Sequence, residues 1–223
     1  MTWIKICGTT NLEDARLAVD AGADALGFVF YENSPRKVSP EVVRQIIAEL
    51  PAGVEKVGVF VRPPFDFMED VAERTGLTAV QLYPDFPAEP ATDRPRLAHL
   101  KHYLVLPARL FLDQEREFES SSLPAGYRVN GILVDSGTPQ QPGGTGRVFD
   151  WEKGRHVVGA IRASGFNVIA AGGLTPDNVT EAIRALEPWG VDVVSGVEAS
   201  PGKKNPEKVR AFITAVRQSE KIV

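Results

Sequence analysis

The sequence predicts an α/β fold in which eight parallel strands close into a barrel with helices outside, and three observations predict it. Short apolar runs rich in Val, Ile and Phe alternate with amphipathic stretches along the whole chain, a pattern that argues for parallel strands joined by helical crossovers. Eight strand–helix units in 223 residues suit a compact barrel, whose usual range begins near about 200 residues. A doubly wound open sheet is the alternative, and no strand followed by GxGxxG supports it.

The elements follow in order. WIKICG reads as the first strand and LEDARLAVDAG as the first helix, with Leu12, Ala15, Leu17, Ala18 and Val19 suited to one helical face. ALGFVF is the second strand. SPEVVRQIIAEL is the second helix, with Ser39 as its N-cap and Pro40 in the first helical position. KVGVFV, FDFMEDVAERTG and AVQLY give the third strand, third helix and fourth strand. Pro84, Pro87, Pro90 and Pro95 then leave room only for a short, late fourth helix. HYLVLPA is the fifth strand, and the polar DQEREFESSS is the helix expected after it. The pairs GILVDS with DWEKGRHVVGAIRASG, VIAAGG with TPDNVTEAIRALEP, and VDVVSGV with PEKVRAFITAVRQS complete the count. The reading is one (βα)8 TIM-barrel catalytic domain over residues 1–223.

Composition narrows the function classes. Lysine and arginine number 25 against 29 acidic residues, for a formal charge of −4. A mildly acidic chain lacks the electrostatic footprint of a nucleic-acid binder, so no nucleic acid is expected as a partner. One cysteine excludes an intrachain disulfide framework and fits a reducing compartment. MTWIKICG reaches a charge and a glycine before an export signal can develop, and no run approaches the roughly 20 apolar residues that span a bilayer. His99, His102 and His156 lie apart from any carboxylate or thiol cluster, so no metal is expected. A cytoplasmic protein without a membrane partner is the expectation.

In such a barrel, chemistry belongs at the C-terminal ends of the strands. Strand parity puts Trp3, Lys5 and Cys7 on one face and Ile4 and Ile6 on the other. The isoleucines suit the helix-facing side, which leaves Lys5 and Cys7 inside. A bare ammonium there is costly, and Asp192 on the eighth strand is its expected partner. Cys7 has two readings: a small buried hydrophobe, or a thiolate favoured by the neighbouring ammonium. Asp135, ending the sixth strand, likewise reads as a cap for the SGTP turn or as an acid at the barrel mouth. Gly143, Gly144 and Gly146 lie in a loop that reads either as a flexible connection or as a mobile cover. Gly172-Gly173 and Ser195-Gly196 end the seventh and eighth strands, where exposed amides commonly grip a phosphate. Arg36, in the loop after the second strand, is either a solvated charge or a bidentate grip on a substrate carboxylate.

Together KICGTTNLEDA, GADALGFVFYENSPR, VGVFV, VDSGTPQQPGGTGRVFDW, AAGGLTPDNV and SGVEASPGKK resemble the phosphoribosylanthranilate isomerases of tryptophan biosynthesis over nearly the whole chain. The resemblance implies a (βα)8 barrel that carries out an Amadori rearrangement of N-(5-phosphoribosyl)anthranilate to 1-(2-carboxyphenylamino)-1-deoxyribulose 5-phosphate. It implies Asp135 as general acid and Cys7 as general base, with no cofactor and no metal, because the substrate nitrogen is the electron sink. It also implies substrate contacts from Arg36 to the anthranilate carboxylate and from Gly172, Gly173, Ser195 and Gly196 to the phosphate, with Gln81, Tyr83 and Asp192 completing the substrate-binding set.

The chain departs from that pattern in three places. Tyr83 stands where the family usually has histidine, Val194 replaces a serine, and the fifth strand lacks the usual lysine–alanine pattern. Two other readings accompany the isomerase: an aldose–ketose isomerase of another amino-sugar phosphate, and a non-catalytic sugar-phosphate-binding barrel. In each the partner is a small sugar phosphate and the chain a monomer or homodimer.

Overall fold

Period-two alternation in the first strand sets the layout. In β1 (Trp3–Cys7), Ile4 and Ile6 are fully buried among residues of the surrounding helices, while Trp3 and Cys7 pack with side chains of the barrel interior. The computed structural model describes residues 1–83, 97, 99–108, 112, 118, 129–137 and 148–220. Seven more strands repeat the theme: β2 (Ala25–Val29), β3 (Glu55–Val61), β4 (Ala79–Tyr83), β5 (Lys101–Pro107), β6 (Val129–Asp135), β7 (Asn167–Ala170) and β8 (Gly190–Val193). They form a closed barrel in chain order, every neighbouring pair parallel, and β8 returns to β1 with Lys5 opposite Asp192.

The described helices are α1 (Leu12–Asp20), α2 (Pro40–Ala48), α3 (Phe65–Thr75), α4 (Trp151–Ala163), α5 (Val179–Leu186) and α6 (Pro206–Ser219). Capping explains where several begin. Asn11, Ser39, Asp150 and Asn205 each accept a backbone N–H from the first turn of the following helix, and prolines occupy the opening positions of α2 and α6. The larger core lies between helices and barrel, where Leu26, Phe60, Leu104, Ile161 and Phe212 meet. Each fully buried side chain of this size contributes about 1.5–3 kcal/mol. A second cluster, including Ala25, Val57, Tyr103, Leu133 and Ile169, fills the barrel interior. The expected fourth helix between Tyr83 and the fifth strand, the DQEREFESSS helix, and Gly143, Gly144 and Gly146 lie outside the described residues.

The loops after β7 and β8 differ from the simplest reading of the sequence. The helix expected near Thr175-Pro176 begins only at Val179. Asn178 accounts for the delay: its Oδ1 accepts the Thr175 N–H at 2.8 Å and its Nδ2 donates to the Gly173 carbonyl at 3.0 Å. The side chain thus holds residues 173–178 as a turn. After β8 a single 3-10 turn (Ser195–Val197) leads into a small antiparallel hairpin, β9 (Glu198–Ser200) and β10 (Lys203–Lys204), before α6.

The two loops touch at Gly196, where a Cβ would fall 1.9 Å from the Leu174 carbonyl oxygen. Gly196→Ala should therefore destabilise the fold by about 1–3 kcal/mol, the usual cost of forcing atoms into a filled space. Urea unfolding measures the loss; an unchanged midpoint would mean that the loops are not held together in solution.

Candidate active site

The C-terminal ends of β1, β4, β6 and β8 converge on one rim, and buried polar groups line it. Lys5, whose side chain is 1% exposed, donates from Nζ to Asp192 Oδ1 at 2.7 Å and to Gln81 Oε1 at 2.7 Å. Burial opposes its charge, but Asp192 and Cys7 outweigh that effect and hold its pKa above the ordinary lysine value. Asp192 and Gln81, expected among substrate contacts, thus share the task of satisfying one interior ammonium.

Cys7 ends β1 and packs with Val29 and Val59, with Tyr31, Tyr83 and Val194 around them. Its β2 register partner is Gly27, where a Cβ would come within 2.5 Å of Sγ, so the missing side chain makes room for the thiol. Lys5 favours the Cys7 thiolate, in the direction expected, without deciding the net shift. Burial pushes the thiol up, Lys5 and Lys204 pull it down, Asp192 pushes it up again, and the net shift is upward. Burial is the largest of these effects, and it outweighs both the charge and the hydrogen bond of Lys5. Val194 adds an apolar contact beside Cys7.

Asp135 ends β6 and is 5% exposed. Its Oδ1 accepts the Gly137 N–H at 2.7 Å, and its Oδ2 accepts the Tyr83 hydroxyl at 3.3 Å. Burial raises its pKa. The Gly137 N–H, Tyr83 and Lys5 favour the carboxylate, but the net direction remains upward. Tyr83 is the link between the two groups: its ring packs on the Cys7 cluster while its hydroxyl reaches Asp135. Burial and the Asp135 charge push its own pKa well above the usual tyrosine value, so it acts as a neutral donor.

The loops complete the rim. Gly172 and Gly173 have φ of 83° and 68°, and a Cβ on Gly172 would strike Ser136 at 2.3 Å, which ties the β7 loop to the residue after Asp135. Ser195 and Gly196 form the turn after β8. Arg36 lies against Gly8, whose absent Cβ would fall 2.6 Å from Arg36 Cδ. The Arg36 guanidinium forks onto Glu198, Nε to Oε1 at 2.9 Å and Nη2 to Oε2 at 2.7 Å. It is therefore neither a solvated surface charge nor an unpartnered one.

Glu198 and Lys204 are the polar groups that sequence reasoning passed over. Lys204 is wholly buried and donates from Nζ to the Cys7 carbonyl at 2.6 Å and to Glu198 Oε1 at 3.2 Å. Both residues stand in SGVEASPGKK, where opposite charges flank a Pro-Gly pair. Only the burial of the hairpin against β1 reveals them.

A closed parallel barrel carrying a buried thiol and a buried carboxyl on strand ends of one rim defines the class: a TIM-barrel enzyme. The family model described as N-(5'phosphoribosyl)anthranilate (PRA) isomerase matches residues 4–215. The chain is 46% identical over 218 residues to the N-(5'-phosphoribosyl)anthranilate isomerase of Citrifermentans bemidjiense, covering 98% of each chain. Among solved structures it is similar to the phosphoribosyl anthranilate isomerase of Thermotoga maritima, with a TM-score of 0.76, 37% identity, and coverage of 98% of this chain and 100% of that one. It is similar as well to a phosphoribosyl anthranilate isomerase in complex with reduced 1-(o-carboxyphenylamino)-1-deoxyribulose 5-phosphate, with a TM-score of 0.72, 36% identity, and coverage of 98% and 100%. The chain belongs to the N-(5'-phosphoribosyl)anthranilate isomerase family, and membership makes it an isomerase of tryptophan biosynthesis. No helix among the described residues is long and apolar enough to cross a membrane.

Because Cys7 is the single thiol, its ionisation can be followed directly. Ultraviolet thiolate absorbance of the ligand-free protein should show a midpoint above a free cysteine's ordinary value of about 8.5. A midpoint below that value would mean that Lys5, not burial, controls the sulfur.

Proposed function

We propose that the chain converts N-(5-phosphoribosyl)anthranilate to 1-(2-carboxyphenylamino)-1-deoxyribulose 5-phosphate by proton transfer, with Asp135 as general acid and Cys7 as general base. The observation that carries this reading is the placement of both groups, buried, on strand ends of one rim with Tyr83 touching each environment.

Asp135 first gives its proton to the furanose ring oxygen. The C1–O bond breaks and the nitrogen lone pair forms a cationic Schiff base at C1. That cation acidifies the C2 proton, which the Cys7 thiolate takes, and the electrons of the C2–H bond form the enolamine. Protonation at C1 and loss of the C2 hydroxyl proton give the ketone. The reaction needs thiolate and carboxylic acid together. Burial helps the acid hold its proton, and it makes the thiolate scarcer but a stronger base when formed. Tyr83 works in the other direction, donating to the Asp135 carboxylate left after proton transfer.

Binding divides among the loops. The guanidinium of Arg36 takes the anthranilate carboxylate through N–H groups that Glu198 does not use. The Gly172-Gly173 turn, with Gly196 packed on Leu174 and Thr175 beside it and Ser195 just before Gly196, takes the phosphate. Asp192 and Gln81 serve the substrate indirectly, by fixing Lys5 beneath the sugar. The partner is this small sugar phosphate, and the chain works as a monomer or homodimer in the cytoplasm.

Loss of phosphoribosylanthranilate fluorescence measures turnover. Cys7→Ser and Asp135→Asn should each lower kcat by about 10²- to 10⁴-fold, the usual contribution of a positioned proton-transfer group, with circular dichroism unchanged. Arg36→Ala should chiefly raise KM. Wild-type protein that binds the substrate tightly without turning it over would overturn the assignment, as would full activity in either of the first two variants.

A further inference from the structure

Arg36, Glu198 and Lys204 form a buried charged chain running from the loop after β2 to the backbone of β1. The side chains are 11%, 4% and 0% exposed. Glu198 is saturated: Oε1 accepts from Arg36 Nε, Gly202 N–H and Lys204 Nζ, and Oε2 accepts from Arg36 Nη2. Burial works against its charge, yet the Arg36 hydrogen bonds and the Lys204 ammonium hold the carboxylate below its ordinary pKa. The hairpin carrying both residues is itself pinned, because the Lys204 N–H donates to Asp14 Oδ2 at 2.8 Å.

Two consequences follow for the guanidinium. Glu198 grips one edge, so among the described residues the Nη1 edge carries no hydrogen bond and remains for a second carboxylate in a parallel fork. An arginine–glutamate pair alone would be neutral; Lys204, whose pKa burial lowers against the pull of Glu198, brings a second cationic group to the same carboxylate. The same ammonium binds the Cys7 carbonyl at 2.6 Å. The carboxylate grip and the residue bearing the thiol are thereby parts of one rigid unit.

We propose that Glu198 and Lys204 are positioning residues that act through Arg36: they preset its guanidinium and preserve its attraction for the carboxylate end of the ligand. The proposal rests on the reading of Arg36 given above. Preorganisation of this kind strengthens binding because the side chain need not be ordered when the ligand arrives.

The test compares two ligands, the reduced product analogue bearing the anthranilate carboxylate and its aniline counterpart lacking it. Calorimetry on wild type, Glu198→Gln, Arg36→Met and the double variant gives the result. Glu198→Gln should weaken the carboxylated ligand about tenfold, as for loss of one charged hydrogen-bonding partner, and the aniline ligand by less than about twofold. In the Arg36→Met background Glu198→Gln should have no further effect. Glu198→Asp, which keeps the charge but shortens its reach, should give the same selective loss in smaller measure. Equal losses for both ligands, no loss, or full additivity with Arg36→Met would overturn the proposal. If Arg36→Met itself leaves the carboxylated ligand's affinity unchanged, the reading of Arg36 fails and this proposal with it.

Discussion

The seam where the first and last strands meet is the constraint on which the site depends. Lys5 and Asp192 are 187 residues apart in sequence, yet they are register partners across β1 and β8 and are joined through their side chains at 2.7 Å. Main-chain pairing closes the barrel, and the ion pair marks a single register, since a one-residue slip would turn Lys5 toward the helices. Gly190 supports the same fit, because a Cβ there would approach the Trp3 carbonyl oxygen at 2.9 Å. Only with this seam closed do Cys7 and Asp135, ending strands on different parts of the barrel, share one rim.

Closure also decides the electrostatics above it. An interior ammonium has to be satisfied where it sits, and Asp192 with Gln81 does so below the mouth. Its field at Cys7 is then offset by Asp192, and burial governs the thiol. Asp135 feels the same low-dielectric surroundings and is likewise pushed toward its protonated form. Two buried ion-paired groups flank the mouth. One is the Lys5 pair inside the barrel, and the other is the Arg36–Glu198–Lys204 chain beside the mouth. Between them lie two groups whose burial opposes their charged forms.

Much of this was legible in the amino-acid order. Alternation in WIKIC separates Ile4 and Ile6 from Lys5 and Cys7, and that parity alone leads to Asp192 once the barrel is assumed. Caps at Ser39 and the apolar runs of all eight strands were equally plain. What escaped depends on contacts between distant segments. Asn178 reads as part of a helix start, and only its bonds to Thr175 and Gly173 show that it delays the helix. The tie from Tyr83 to Asp135 joins residues 52 apart, and the tie from Lys204 to Cys7 spans 197. No local period carries such information. The net state of the thiol was harder to read: Lys5 and its partner Asp192 are legible, whereas the burial that outweighs the ammonium at Cys7 belongs to the fold.

The most direct measurement is a crystal structure of this chain with the reduced product analogue. The account predicts the sugar carbons C1 and C2 between the Cys7 sulfur and the Asp135 carboxyl, with the anthranilate carboxylate on the guanidinium edge opposite Glu198. A ligand bound at the opposite rim, or with its sugar beyond reach of either the sulfur or the carboxyl, would contradict it.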